Sequence, residues 1–333
     1  MSQPDWSGVP ANSGWANKVY ARYVPPAVLQ QEVRADAFSK GIIDPRPLSI
    51  GDLLSGTFRA VRFAPGVMMG LTLVIALLSQ LLALAFAFGT GNASFDLNDL
   101  LFGGTDAAWS SYMSSLGMSS LCTTLASVVA SVYLTHAVFQ GVLGREVKPP
   151  EALHVLRLRV WPVIVLTLLQ YAVMMVAFGL WIAMIAVGVA GASAMIGLAI
   201  LAVFGGIFVG GWLWVRLTFA VPAIVVEGLG PIQGLRRGWL LSRGIFGHVL
   251  GYRLLASILI GIAVGTVTQG FSVALGLFAG VIPAAMIAVT PIASVVSITL
   301  SAPLHEAVST LLYVDARIRR EGYDIELLET MTG

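Results

Sequence analysis

"LLASILIGIAVGTVTQGFSVALGLFAGVIPAAMIAVTPIASVVSITLSAPL" runs from Leu254 to Leu304 without one charged residue. A helix needs about 20 apolar residues to cross the hydrocarbon of a bilayer. The stretch is too long for one crossing and fits two. The apolar turn between them falls at "GLFAGVIP" (276–283), where Gly and Pro punctuate the pair.

Working outward, the rest of the chain has the same character. It is 57% hydrophobic and 11% charged, against about 25% charged residues in ordinary soluble domains. So apolar a chain cannot cover a soluble surface and reads as a polytopic, all-α membrane protein. Six spans are expected, near Gly66–Phe88, Leu116–Leu143, Trp161–Val187, Ala192–Val215, Val249–Ala274 and Ala284–Leu304.

The placement of basic residues gives the orientation. Lys18 to Arg62 precede the first span. Arg145, Lys148, Arg157 and Arg159 lie between spans two and three, with Arg216 at the end of span four. Arg236, Arg237, Arg243 and Arg253 lie between spans four and five, and Arg317, Arg319 and Arg320 follow span six. The loops after spans one, three and five carry no Lys or Arg, and the first holds Asp96, Asp99 and Asp106. By the positive-inside rule both termini are cytoplasmic, in a multi-pass protein of the cell membrane. Residues 1–45 have no basic start followed by an apolar run, hence no signal peptide, and read as a disordered cytoplasmic tail. Trp6, Trp15, Tyr20 and Tyr23 in it are candidates for touching the membrane surface or a partner. Residues 321–333 form a short cytoplasmic C-terminal tail.

The basic segments are patterned. "PLSIGDLLSGTFRAVRFAPG" (47–66) sets Ile50, Leu53, Leu54, Phe58 and Val61 on one helical face and Asp52, Ser55, Arg59 and Arg62 on the other. Ser49 and Asp52 have capping-box spacing, and Pro65-Gly66 breaks the helix before the first span. Such a helix should lie in the headgroup layer. "PPEALHVLRLRVWP" (149–162) and "GPIQGLRRGWLLSRGIFG" (230–247) repeat the pattern before spans three and five. The inner ends of the even spans also rhyme: "LTHAVFQGV" (134–142), "LTFAVPAIV" (217–225) and "LHEAVSTLL" (304–312). The pattern describes a six-helix bundle with three interfacial amphipathic helices and a threefold internal repeat, in a membrane domain of residues 46–320. The units are 46–144, 145–228 and 229–320. They run parallel, unlike the inverted repeats of many transporters.

In that alignment Glu306 falls opposite His136 and Phe219. His305 and Glu306 are expected at or one turn inside the inner interface, because charge at the bilayer centre is costly; an interface at Arg317 would instead place His305 roughly 18 Å deep. Arg216 and His136 are the expected partners of Glu306, with Gln140 as a donor. His136, Gln140, Arg216, His305 and Glu306 thus form a candidate intramembrane polar cluster. It would either hold helices together or bind an anionic headgroup or relay protons.

No catalytic set is legible. The histidines at 136, 154, 248 and 305 have no metal spacing, and no Walker loop, Cys-x-x-Cys or Gly-x-Ser-x-Gly elbow occurs. No metal or cofactor site is expected, and nothing points to nucleic acid. "GGIFVGG" (205–211) inside an apolar span reads as small-residue packing. Cys122 is the single cysteine, so no intrachain disulfide forms.

Three stretches carry a resemblance. "RPLSIGDLLSGTFRAVRFAPG" (46–66) resembles the opening of bacterial, chiefly actinobacterial, proteins with the glycerophosphoryl diester phosphodiesterase membrane domain. "VPAIVVEGLGPIQGLRRGWLLSRGIFGHVLG" (221–251) is similar to the central segment of that family, and "LLYVDARIRREGYDIELLE" (311–329) to its end. The resemblance implies a stand-alone membrane domain without the catalytic phosphodiesterase barrel, and supplies no catalytic residues. The expectation is therefore a non-enzymatic scaffold or binding module. Its cytoplasmic face would engage anionic lipid headgroups through Arg59, Arg62, Arg157, Arg159, Arg236, Arg237 and Arg243, with a protein partner as a further candidate; the other reading of the same arginines is that they only set the topology. The alternative is a transporter or permease for a lipid or small hydrophobic solute, working through the cluster around Glu306.

Overall fold

The structure, a computed structural model, describes residues 41–43, 46–89, 106–145, 147–190, 196–281, 286–323 and 326–327. The tail of residues 1–40, most of the acidic outer loop, the tip of the turn between spans five and six, and residues 328–333 lie outside the described residues.

Every regular element among the described residues is helical. Helix α1 (Ile50–Phe63) starts where the capping box placed it. The Ser49 hydroxyl accepts the Asp52 N–H at 3.2 Å, and the Asp52 carboxylate accepts the Ser49 N–H at 3.1 Å. These two bonds satisfy donors that a helix start otherwise leaves free. Pro65 and a π turn (Gly66–Leu71) then lead into α2 (Thr72–Gly89). Next come α3 (Asp106–Val142), α4 (Pro149–Ala190), α5 (Ile196–Thr218), the short α6 (Ala220–Glu227), α7 (Pro231–Leu241), α8 (Phe246–Val281) and α9 (Met286–Glu321).

Six of these helical segments are long and apolar enough to cross a membrane, which makes the chain a multi-pass membrane protein. The even spans are the inner ones. Buried residues make up 61, 44 and 44% of spans two, four and six, but 22, 11 and 11% of spans one, three and five. Helix α9 is the hub and packs on α1, α2, α3, α6 and α8. The outer helices turn large apolar side chains outward, such as Leu168, Phe178, Leu277 and Phe278, as lipid contact requires.

The three rhyming segments are in this core. Ala137, Ala220 and Ala307, which occupy one alignment position, are all buried, and so are Val138 and Val308. A left-handed glycine follows each even span, at Gly144, Gly228 and Gly322. At Gly228, with φ +73°, a side chain would also run into Arg159.

The interfacial segments depart from expectation in two ways. Residues 149–162 do not form a separate helix; α4 continues through Pro162 into the span, as neighbouring helices allow for Pro in transmembrane helices. Helix α1 does not lie on lipid by its whole apolar face. It packs on α9, burying Leu53, Gly56, Thr57 and Ala60, and Phe58 stays 57% exposed. Helix α7 crosses α6 closely at Gly238, where a Cβ would stand 3.0 Å from the Ala220 backbone nitrogen.

Candidate functional site

The five residues expected to cluster separate into three places. Glu306, on α9, accepts a long hydrogen bond from Thr135 Oγ1 at 3.5 Å. The cation that acts on it is Arg253 of α8, not Arg216 or His136. Arg253 donates to Ser309 Oγ at 2.7 Å and lies over the Trp214 ring at 4.4 Å. Ser309 in turn donates to the His305 carbonyl at 3.0 Å. Arg253 Nε is buried without a partner among the described residues. The guanidinium and carboxylate thus share the interior of the bundle without a direct bond. Beside them Tyr133 and Thr72 join their hydroxyls at 2.7 Å.

Arg216 stands apart. It donates to the Trp239 carbonyl at 3.1 Å and to Ser242 Oγ at 3.0 Å, among the rings of Trp212, Trp239 and Phe246. It holds α7 to α5. The helix rotation that separates it from Glu306 is not encoded in the spacing of apolar residues.

His136 and Gln140 line a cleft of about 530 Å³ between the end of α3 and the start of α4, together with Arg145, Glu151 and His154. No group of three His, Cys, Asp or Glu among the described residues can hold a metal ion.

Above these lies a layer of ion pairs. Asp315 is buried. It accepts from the Leu48 N–H at 2.8 Å and from Arg319 Nε at 2.9 Å, with His248 Nε2 at 3.2 Å. Arg319 also donates to the Leu48 carbonyl at 2.9 Å, closing a ring that ties the start of the domain to its last helix. Glu227 accepts from Tyr313 Oη and from Arg237 Nε at 2.9 Å, and Arg237 reaches Glu321 at 2.8 Å. Burial opposes the charge of Arg237, but its bonds to Glu321 and Glu227 more than offset this and raise its pKa above the usual range for arginine. Nine residues of α9 separate Glu306 from Asp315, about 13 Å at 1.5 Å per residue. Glu306 therefore sits more than two turns below the ion-pair layer.

The seven expected headgroup arginines also divide. Arg237 is committed to Glu227 and Glu321. Arg159 donates to the Gly228 carbonyl at 3.1 Å, and Arg59 reaches the Ile42 carbonyl at 3.4 Å. Arg62, Arg157, Arg236 and Arg243 are exposed, and their side chains make no hydrogen bond or ion pair among the described residues.

Sequence reasoning passed over Glu227, Arg253 and Asp315. One signal was available: Glu227 is the only acid between Glu151 and Glu306, and a lone acid beside so many arginines invites a partner. Comparisons with family models, with curated proteins and with solved structures found no match, so the functional reading rests on this geometry.

Proposed function

We propose that the protein is a non-catalytic module of the cell membrane whose basic, cytoplasmic face holds anionic lipid headgroups. The observation that carries the reading is the set Arg62, Arg157, Arg236 and Arg243, exposed and without partners among the described residues. They belong to the three segments that precede spans one, three and five. An arginine near an anionic surface contributes about 1 kcal/mol. Four together give about 4 kcal/mol, nearly a thousandfold in lipid occupancy. Arg159 and Arg237 act instead as braces within the fold. The buried alanines at 137, 220 and 307 support reading it as three copies of one out-and-back unit.

Native mass spectrometry of gently extracted protein tests this. Wild type should carry anionic phospholipid, and changing all four arginines to Gln should remove most of it. Equal retention by the variant would contradict the reading.

A second reading is a carrier for a lipid or small hydrophobic solute. It is favoured by the charges of Arg253 and Glu306, which face the bundle interior without a direct bond. It would gain if a bound small molecule left on Glu306→Gln and stayed on the arginine change.

A further inference from the structure

The cleft between α3 and α4 is lined by His136, Gln140, Arg145, Glu151 and His154. All five are polar, and among the described residues almost all of their side-chain bonding capacity is open. The side chains of His136, Gln140, Arg145 and His154 make no hydrogen bond among the described residues. Glu151 accepts one long bond, from the Lys148 N–H at 3.5 Å, which leaves its Oε1 open. Arg145 and Glu151 carry opposite charges into one cleft, yet they form no ion pair.

A site for a simple anion would not carry a free carboxylate, and a site for a simple cation would not carry a free guanidinium. A cleft with both, not joined in an ion pair and lined as well by His136, Gln140 and His154, matches a ligand with both charges. Its volume of about 530 Å³ is within the usual range for small-molecule sites, about 300–1,000 Å³. The walls add Val147 and Val155. From His154 the same stripe of α4 continues through Leu158 and Trp161, which are 60 and 70% exposed. An acyl chain leaving the cleft could follow that stripe into the hydrocarbon, with Trp161 at the headgroup level.

We infer that this cleft is a binding site for a phosphate-plus-ammonium group of the phosphoethanolamine type. Arg145 and His154 take the phosphate, Glu151 takes the ammonium, and His136 and Gln140 complete the hydrogen bonding. The group can arrive on an aminophospholipid or as the free ester. The inference does not depend on the four partnerless arginines, none of which lines the cleft.

The test uses the full chain in detergent with short-chain phosphatidylethanolamine, short-chain phosphatidylglycerol and free phosphoethanolamine as probes. Affinity is read by native mass spectrometry and thermal shift. Wild type should prefer phosphatidylethanolamine over phosphatidylglycerol by tenfold or more. Glu151→Gln should erase that preference by weakening phosphatidylethanolamine, without weakening phosphatidylglycerol. Arg145→Gln should weaken both lipids. Both side chains are exposed, so neither variant should unfold. If free phosphoethanolamine competes as well as the lipid, the occupant is the soluble ester. If only the lipid binds, it is the membrane form. The inference is overturned if wild type shows no preference, or if Glu151→Gln leaves the preference intact.

Discussion

Asp315 offers the sharpest test of the packing. Its carboxylate is 1% exposed and accepts from Leu48 N–H, from Arg319 and from His248. In Asp315→Ala the buried Leu48 N–H loses its acceptor, a loss of about 1–3 kcal/mol. Arg319, 29% exposed, loses the carboxylate whose two oxygens share its Nε–H. Solvent screening discounts that pair to about 1 kcal/mol. With a small term for the vacated space, the total is about 2–5 kcal/mol. At roughly 2 °C per kcal/mol the melting midpoint in detergent should fall by about 4–10 °C. Asp315→Asn can keep the Leu48 bond, so it should lose only about 1–2 kcal/mol. His248→Ala removes one bond at 3.2 Å from a quarter-exposed ring and should lose less than about 1 kcal/mol. Hydrogen exchange gives a second readout: the Leu48 amide should lose protection in Asp315→Ala and keep it in His248→Ala. The reasoning is refuted if Asp315→Ala melts with the wild type, or if Leu48 stays protected in it.

Three further outcomes follow from local geometry. Gly238→Ala should destabilise by about 1–3 kcal/mol, since the new Cβ meets backbone of the α6 crossing, whereas Gly51→Ala, with its nearest neighbour at 3.8 Å, should stabilise by up to about 1 kcal/mol; differential scanning fluorimetry separates the two. Arg216→Lys should lower stability by about 1–2 kcal/mol, because an ammonium cannot stack among Trp212, Trp239 and Phe246 and still bond Trp239 and Ser242; loss of tryptophan fluorescence shift on denaturation reads it. Hydrogen bonds from the Ser49 hydroxyl and N–H hold the Asp52 carboxyl below the usual carboxylate range, so its stabilisation is full above about pH 4 and fades as pH falls through the lowered value; Ser49→Ala keeps the backbone N–H bond and should flatten, not abolish, that acid-range slope while losing about 1 kcal/mol of helix stability.

Much of the fold is legible in the sequence because bilayer physics writes it there. Apolar runs must be about 20 residues long, and charges must stay at the ends, so six crossings can be read from composition. The capping box of Ser49 and Asp52 is equally local. Partnerships across the bundle are not local. Leu48 and Asp315 are 267 residues apart, and which face of α9 turns to α8 decides that Glu306 answers to Arg253 and not to Arg216. Rotations of this kind depend on packing of small residues among helices that are apolar all round, where no periodic stripe marks the inner face. The cleft residues Arg145, Glu151 and His154 were similarly hidden, since a site shared by the end of one span and the start of the next has no motif.

The central claim is that Arg62, Arg157, Arg236 and Arg243 share one face of the membrane, the inner one. In a Cys122→Ser background, the single changes Arg62→Cys, Arg157→Cys, Arg236→Cys and Arg243→Cys can each be labelled with a membrane-impermeant maleimide. All four should react in inverted vesicles and stay protected in right-side-out vesicles. Labelling of any one of them from the outside would contradict the account.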